Sequence, residues 1–210
     1  MKNRKNIPWV SAILAIINIL VFLRCTTGGN MLYNRGMMDV WHTLVEGEYY
    51  RILTAMFLHA DMNHLFNNML LVFFLGSMIE KEIGHVVYAV TYFLSGIGAN
   101  VLSLMYKIYC GVDSYSLGAS GAAFGLDGVL LALVLFSNRK PVDVTPVRLI
   151  GVLLFSLYSG FASAGTDNAA HVGGLTVGFL IGIIISMVYR LKEKAHDRQR
   201  LSQAAERNGD

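Results

Sequence analysis

Apolar residues in this chain come in blocks rather than in stripes. Six runs, 7–23, 64–78, 86–104, 120–136, 147–164 and 169–189, approach the length that crosses a bilayer, and short polar segments separate them. A spanning helix takes about 20 mainly apolar residues, whereas the helix of a soluble core shows a polar face every third or fourth position. The pattern predicts an all-α membrane protein: one bundle of six transmembrane helices over 7–189. A short segment, 1–6, precedes it, and a charged tail, 190–210, follows with no order expected beyond a helical extension.

The polar interruptions carry the next layer of information. Residues 26–50 open on Gly28-Gly29-Asn30 and then mix Met31, Met37, Met38 and Trp41 with Asn34, Arg35, Asp39 and His42. That blend predicts a segment lying along the membrane surface, with Trp41, Tyr49 and Tyr50 as interfacial anchors. The start of the second run is oddly polar, with His59, Asp61, Asn63, His64, Asn67 and Asn68 close together. Residues 165–168 read as a tight turn.

Composition agrees with a membrane protein: 54% of the 210 residues are hydrophobic and 15% charged, against about 25% charged in a soluble domain. The net charge of +3 does not indicate nucleic acid, because the basic residues flank the apolar runs. With six spans and the N-terminus inside, only Arg24, Arg35, Arg51 and Lys107 of the 17 lysines and arginines fall outside, so the charges predict cytoplasmic N- and C-termini. No small-x-small cleavage site follows Leu23, and the first run is expected to be retained. Cys25 and Cys110 form no CxxC pair, which argues against metal binding and redox chemistry. Both fall on the expected outer side, where a disulfide between them has little support.

Two polar residues stand at the heads of apolar runs. Ser120 sits in Gly118-Ala119-Ser120-Gly121-Ala122-Ala123-Phe124-Gly125, and His171 in Ala169-Ala170-His171-Val172-Gly173-Gly174. On the six-helix topology both runs start outside, which puts the two residues at one depth. Gly121 and Gly125 are four apart, and Gly174, Gly178 and Gly182 repeat every four; small-xxx-small faces let helices approach closely. A serine and a histidine brought together this way suit a nucleophile and its base. His64 and Asn68, four apart, share a helical face, and both can donate to an oxyanion. Asn67, about 100° around the helix, is expected to face elsewhere. Each element also has a plainer reading. The serine and the glycines serve packing, the histidine serves structure or a proton relay, and His64 with Asn68 forms interhelical hydrogen bonds.

Taken together, these residues resemble the motifs of the rhomboid intramembrane serine proteases. Gly118-Ala119-Ser120-Gly121 resembles the family's GxSG, Ala170-His171 with Gly174 and Gly178 its AHxxGxxxG, and His64 with Asn68 its HxxxN. Tyr50-Arg51 is similar to its Trp-Arg pair, with Tyr for Trp, and Glu80 with Gly84 to its ExxxG. The resemblance runs from about Tyr50 to Tyr189, with the motifs in order. It implies six helices around a water-filled cavity open to the outside, with Ser120 as nucleophile and His171 as base in a dyad that has no aspartate. It further implies an oxyanion hole of His64, Asn68 and the Ser120 N–H, with Gly118 beside it. His59 falls where members often carry another histidine near the cavity, and Arg51 and Glu80 look structural. Phe124 stands where some members have tyrosine; it can still stack on His171 but lacks the hydroxyl.

Asp127 lies seven residues past Ser120, about 10 Å deeper on nearly the same face, too far to complete a triad. It reads as a packing carboxyl meeting Thr176 or Asn100. The resemblance implies an intramembrane serine endopeptidase that needs no cofactor, metal or nucleic acid. Its partners are the lipid bilayer and the transmembrane segments of membrane-protein substrates, which it cuts near the outer face. The short loops suit a bacterial plasma membrane. Two rivals remain: a relative that binds helices without cutting, against which both dyad residues speak, and a transporter or channel, against which the single depth of the polar residues speaks.

Overall fold

The computed structural model describes residues 7–137 and 166–208, with 147, 151, 154–156 and 158 between them. Among the described residues the architecture is helical. Helix α1 is Trp9–Thr27, α2 is the short Met31–Gly36, α3 is Met62–Ile83, α4 is His85–Cys110, α5 is Ser120–Phe136 and α6 is Asn168–Asn208. Four of them (α1, α3, α4 and the 168–203 part of α6) are long and apolar enough to cross a membrane, and α5 is a shorter apolar helix. These helices make the chain a multi-pass membrane protein. The expected fifth span, 147–164, lies outside the described residues apart from the isolated positions named.

Most spans are longer than the apolar runs suggested. The second reaches back to Met62 because Asp61 caps it, its carboxylate accepting the His64 N–H at 2.8 Å. It also contains one wide π turn, Leu71–Leu75. The last span does not stop at Tyr189: the helix continues through the charged residues to Asn208, since nothing in that tail breaks it.

Helix α5 is the centre of the molecule. Gly121 through Leu130, with Ala132 and Leu133, are buried, as expected of a helix apolar on every side. Helices α5 and α6 run parallel and nearly touch. A Cβ on Gly174 would lie 2.0 Å from the Gly121 carbonyl oxygen, one on Gly178 1.9 Å from that of Gly125, and one on Gly182 2.9 Å from that of Val129. The contact steps down both helices by one turn at a time, so only hydrogen fits at these places. Gly125 is just as tight against Ser95 of α4, whose Cβ would be 2.2 Å away.

Helix α1 is held at the far end of the bundle by one side chain. Buried Glu80 accepts the Val10 and Ser11 N–H groups at 3.0 and 2.8 Å and the Ser11 hydroxyl at 2.6 Å. Its other neighbour is His85, 2.5 Å away. The first N–H groups of a helix have no partner within it, and Glu80 supplies one. At the opposite end buried Arg51 donates to the Asn34 and Met37 carbonyls at 2.9 and 2.7 Å. It also pairs with Glu48, whose carboxyl it holds below the ordinary range. Trp41, Tyr49 and Tyr50 are exposed along this connection. Cys25 is buried, Cys110 exposed, and both are free thiols, so the two do not pair.

Candidate active site

A cavity of about 300 Å³ opens among the starts of α3, α5 and α6. Ser120, His171, His64, Asn68, Gly118 and Phe124 all line it. Ser120 Oγ lies 2.9 Å from His171 Nε2, so the hydroxyl can donate to that nitrogen when the ring carries its proton on Nδ1. Nδ1 is buried and has no hydrogen-bond partner among the described residues; the ring is held instead by Phe124, stacked on it at 4.3 Å with the planes 10° apart. Among the described residues, then, the serine and histidine meet with no carboxylate hydrogen-bonded to the ring.

The chain enters α5 through Gly118, whose φ of +127° is open to glycine and strained for other residues. A Cβ there would also lie 2.7 Å from His64 Nε2 and 3.5 Å from Asn68 Nδ2. The two α3 side chains thus close on the backbone just before Ser120. Buried Asn68 Nδ2 has no partner among the described residues. A free amide donor, an imidazole and the start of a helix converge beside the serine, an arrangement able to receive a negative oxygen.

His59 sits behind this wall rather than in it. Its ring packs edge-on against His64 at 5.1 Å, and its Nε2 accepts the Ala119 N–H at 3.4 Å. Burial, aided by the neighbouring His64, pushes its pKa down to about 3, which keeps the ring neutral and able to accept. Arg51 and Glu80 do not line the cavity.

Residues 46–188 match the model of the rhomboid domain. The chain belongs to the rhomboid family. RHOMBOID-like protein 4 of Arabidopsis thaliana is 35% identical over 159 residues, covering 73% of this chain and 38% of that protein. The rhomboid protease GluP of Bacillus subtilis is 31% identical over 144 residues, 69% of this chain and 27% of its own. The putative rhomboid protease YdcA of the same bacterium is 30% identical over 178 residues, 84% of this chain and 88% of its own. The chain spans less than half the length of the Arabidopsis relatives it matches.

Two expectations within this rhomboid domain need correction. Asn67 lines the cavity after all. The hollow wraps around the start of α3 and takes in Asn63 and Asn67 beside His64 and Asn68, so a 100° offset does not carry Asn67 out of it. Asp127 is buried but meets neither Thr176 nor Asn100: Thr176 donates to the Val172 carbonyl and Asn100 to that of Ile52. Among the described residues neither carboxyl oxygen has a hydrogen-bond partner, and the Ser156 hydroxyl lies near them.

Sequence reasoning missed Asp167. It falls in the expected tight turn, yet it caps α6, its Oδ1 accepting the Ala170 N–H at 3.0 Å, and it lines the cavity. The available signal was an aspartate directly before a helix and one turn ahead of the histidine. Its serine and lysine partners, Ser103, Ser116 and Lys107, carried no such signal.

Proposed function

We propose that this rhomboid is an intramembrane serine endopeptidase in which Ser120 is the nucleophile and His171 the general base. The observation that carries the reading is the 2.9 Å contact between Ser120 Oγ and His171 Nε2 inside a cavity that His64 and Asn68 also line. His171 Nε2 takes the serine proton as Oγ attacks the scissile carbonyl carbon. The carbonyl oxygen becomes an oxyanion held by His64, Asn68 and the Ser120 N–H. His171 then returns the proton to the leaving amine as the C–N bond breaks, leaving an acyl-enzyme. A cavity water, activated by His171, hydrolyses it and restores Ser120. Phe124 and the start of α6 orient the imidazole in place of a carboxylate.

The substrates in this proposal are transmembrane segments of membrane proteins. Their scissile carbonyls are locked in helical hydrogen bonds, so the segment must unwind locally, and it is cut near the outer face, where water reaches the cavity. The proposal extends to a six-helix domain over 7–189, cytoplasmic termini and a cytoplasmic tail, supported by the clustering of lysine and arginine at the predicted inner ends. Similarity across 88% of a bacterial relative supports a bacterial plasma membrane. No metal or cofactor enters this mechanism.

The test is labelling of the purified full chain in detergent with a fluorophosphonate serine probe. Labelling is expected in the wild type and lost in both Ser120→Ala and His171→Ala. Asn68→Ala should label about 100-fold more slowly if it acts as a single oxyanion donor. A folded wild type that takes up no probe overturns the reading in favour of a non-cutting binder.

A further inference from the structure

The Ser120–His171 contact has a counterpart four residues earlier in both segments. Ser116 precedes Ser120 by four residues, Asp167 precedes His171 by four, and the Ser116 hydroxyl donates to Asp167 Oδ2 just as the Ser120 hydroxyl meets His171. Asp167 Oδ2 also accepts the Ser103 hydroxyl of α4 at 2.5 Å, and Lys107 Nζ lies 3.5 Å from it. Lys107 in turn donates to the Ser114 carbonyl at 2.7 Å and to the Ser116 hydroxyl. On the other side, Oδ1 caps α6 through Ala170, and the Asp167 carbonyl accepts the His171 N–H at 3.2 Å.

One carboxylate therefore joins three segments: α4, the loop that leads to Ser120, and the first turn of α6 that carries His171. The loop is itself pinned, with Ser116 and Met38 exchanging two backbone hydrogen bonds of 3.0 and 2.7 Å. Ser103, Lys107 and Ser116 are all buried. Burial alone would raise the Asp167 pKa, but the hydroxyl donors, the Ala170 N–H and the Lys107 charge outweigh it and hold the carboxyl below its ordinary value. An ionised group at this depth is retained because four donors face it.

We propose that Asp167 is the positioning residue of the dyad, acting through the backbone at both ends rather than through the imidazole. It fixes where α6 begins relative to the loop ahead of α5, and so sets the separation of Ser120 Oγ and His171 Nε2. The proposal rests on the dyad reading. His171 Nδ1 has no acceptor among the described residues, so ring placement depends on Phe124 and on this anchor. An asparagine at 167 would be an incomplete substitute. Its single oxygen can serve Ala170 or the serines, while its NH₂ turns a donor toward the other set.

The experiment uses the full chain in detergent, with two readouts on wild type, Asp167→Ala, Asp167→Asn and Ser103→Ala. The first is the second-order rate of fluorophosphonate labelling per folded molecule. The second is hydrogen–deuterium exchange over residues 166–175, which needs no activity. Asp167→Ala is expected to label about 100-fold more slowly, the scale of a misplacement near 1 Å, while still reaching full stoichiometry. Asp167→Asn and Ser103→Ala should fall between. The amides of Ala170 and His171 should exchange at least about 10-fold faster in Asp167→Ala. A role in folding alone would lower the folded fraction and leave the rate per folded molecule unchanged; that result overturns the proposal. If Asp167→Ala does not fold, wild-type rates in both Asp167→Asn and Ser103→Ala overturn it equally. If the wild type itself takes no label, the dyad reading has failed. The anchor then stands or falls on exchange, and unchanged protection in the variants sinks it.

Discussion

Phe124 lies flat against the His171 ring, the two centroids 4.3 Å apart and the planes 10° from parallel. The residue four positions after the serine thus presses on the base, so that one turn of α5 supplies both the hydroxyl and the surface that orients its partner. Phe124→Ala should remove that surface. An aromatic pair contributes about 0.5–1.5 kcal/mol, which corresponds to a loss of roughly 2–10-fold in labelling rate at 1.36 kcal/mol per tenfold. Phe124→Tyr keeps the stack and should keep the rate. Equal rates for Phe124→Ala and wild type would remove the stack from the mechanism.

The approach of α5 to α6 makes Gly178 a test of whether packing below the site controls the site. A Cβ there would meet the Gly125 carbonyl oxygen at 1.9 Å, with backbone on both sides of the clash. Gly178→Ala must push the helices apart, at a cost of about 1–3 kcal/mol. It is expected to melt earlier in detergent and to label more slowly than its folded fraction explains, because the separation carries His171 away from Ser120. A variant that melts earlier but labels normally would show that the crossing serves stability alone.

Glu80 gives the opposite expectation. It satisfies the first N–H groups of α1 and a buried serine far from the cavity. Glu80→Ala leaves those donors buried without an acceptor, at about 1–3 kcal/mol each for a lost buried bond. The melting temperature should fall sharply, while the labelling rate per folded molecule stays within about 2-fold of wild type. A specific loss of rate would instead couple α1 to the active site.

His59 predicts a pH dependence of stability. Its ring is neutral in the fold, with a pKa pushed from 6.5 to about 3 by burial and the neighbouring His64. Between those values the unfolded chain binds a proton that the folded chain does not, so stability rises with pH across the window. The His59 contribution is complete above pH 6.5 and is lost as pH falls toward 3, with a slope of up to about 1.4 kcal/mol per pH unit. Melting of wild type and His59→Gln at pH 7, 5.5 and 4.5 checks this. The wild type should lose more stability on acidification than the variant, and parallel losses would assign the slope to other groups.

Ser120, His171, His64, Asn68, Gly118 and Phe124 line one cavity, and each belongs to a local pattern, whereas His59, Arg51 and Glu80 stand outside it. His64 and Asn68 share a face by helical spacing, and the glycines that let α5 and α6 touch repeat every four residues. The cap that Asp167 makes is local, but its link to other segments is not. Its partners are Ser103, 64 residues away, and Ser116, 51 residues away, and nothing in the sequence near 167 indicates that those serines will meet it. Asn67 lines the cavity for a related reason: helical angle fixes where a side chain points but not how far a cavity extends around the helix.

By itself the sequence determined the apolar runs, their helical form, and the small-residue faces along which two helices could close. These follow from the length of apolar blocks and the 3.6-residue period, both carried by neighbouring residues. Only the tertiary structure decided that Ser116 meets Asp167 beside Ser120 and His171, and that Glu80 caps a helix 70 residues earlier. A buried polar group must find a partner, and which partner it finds depends on where distant segments of chain are brought together.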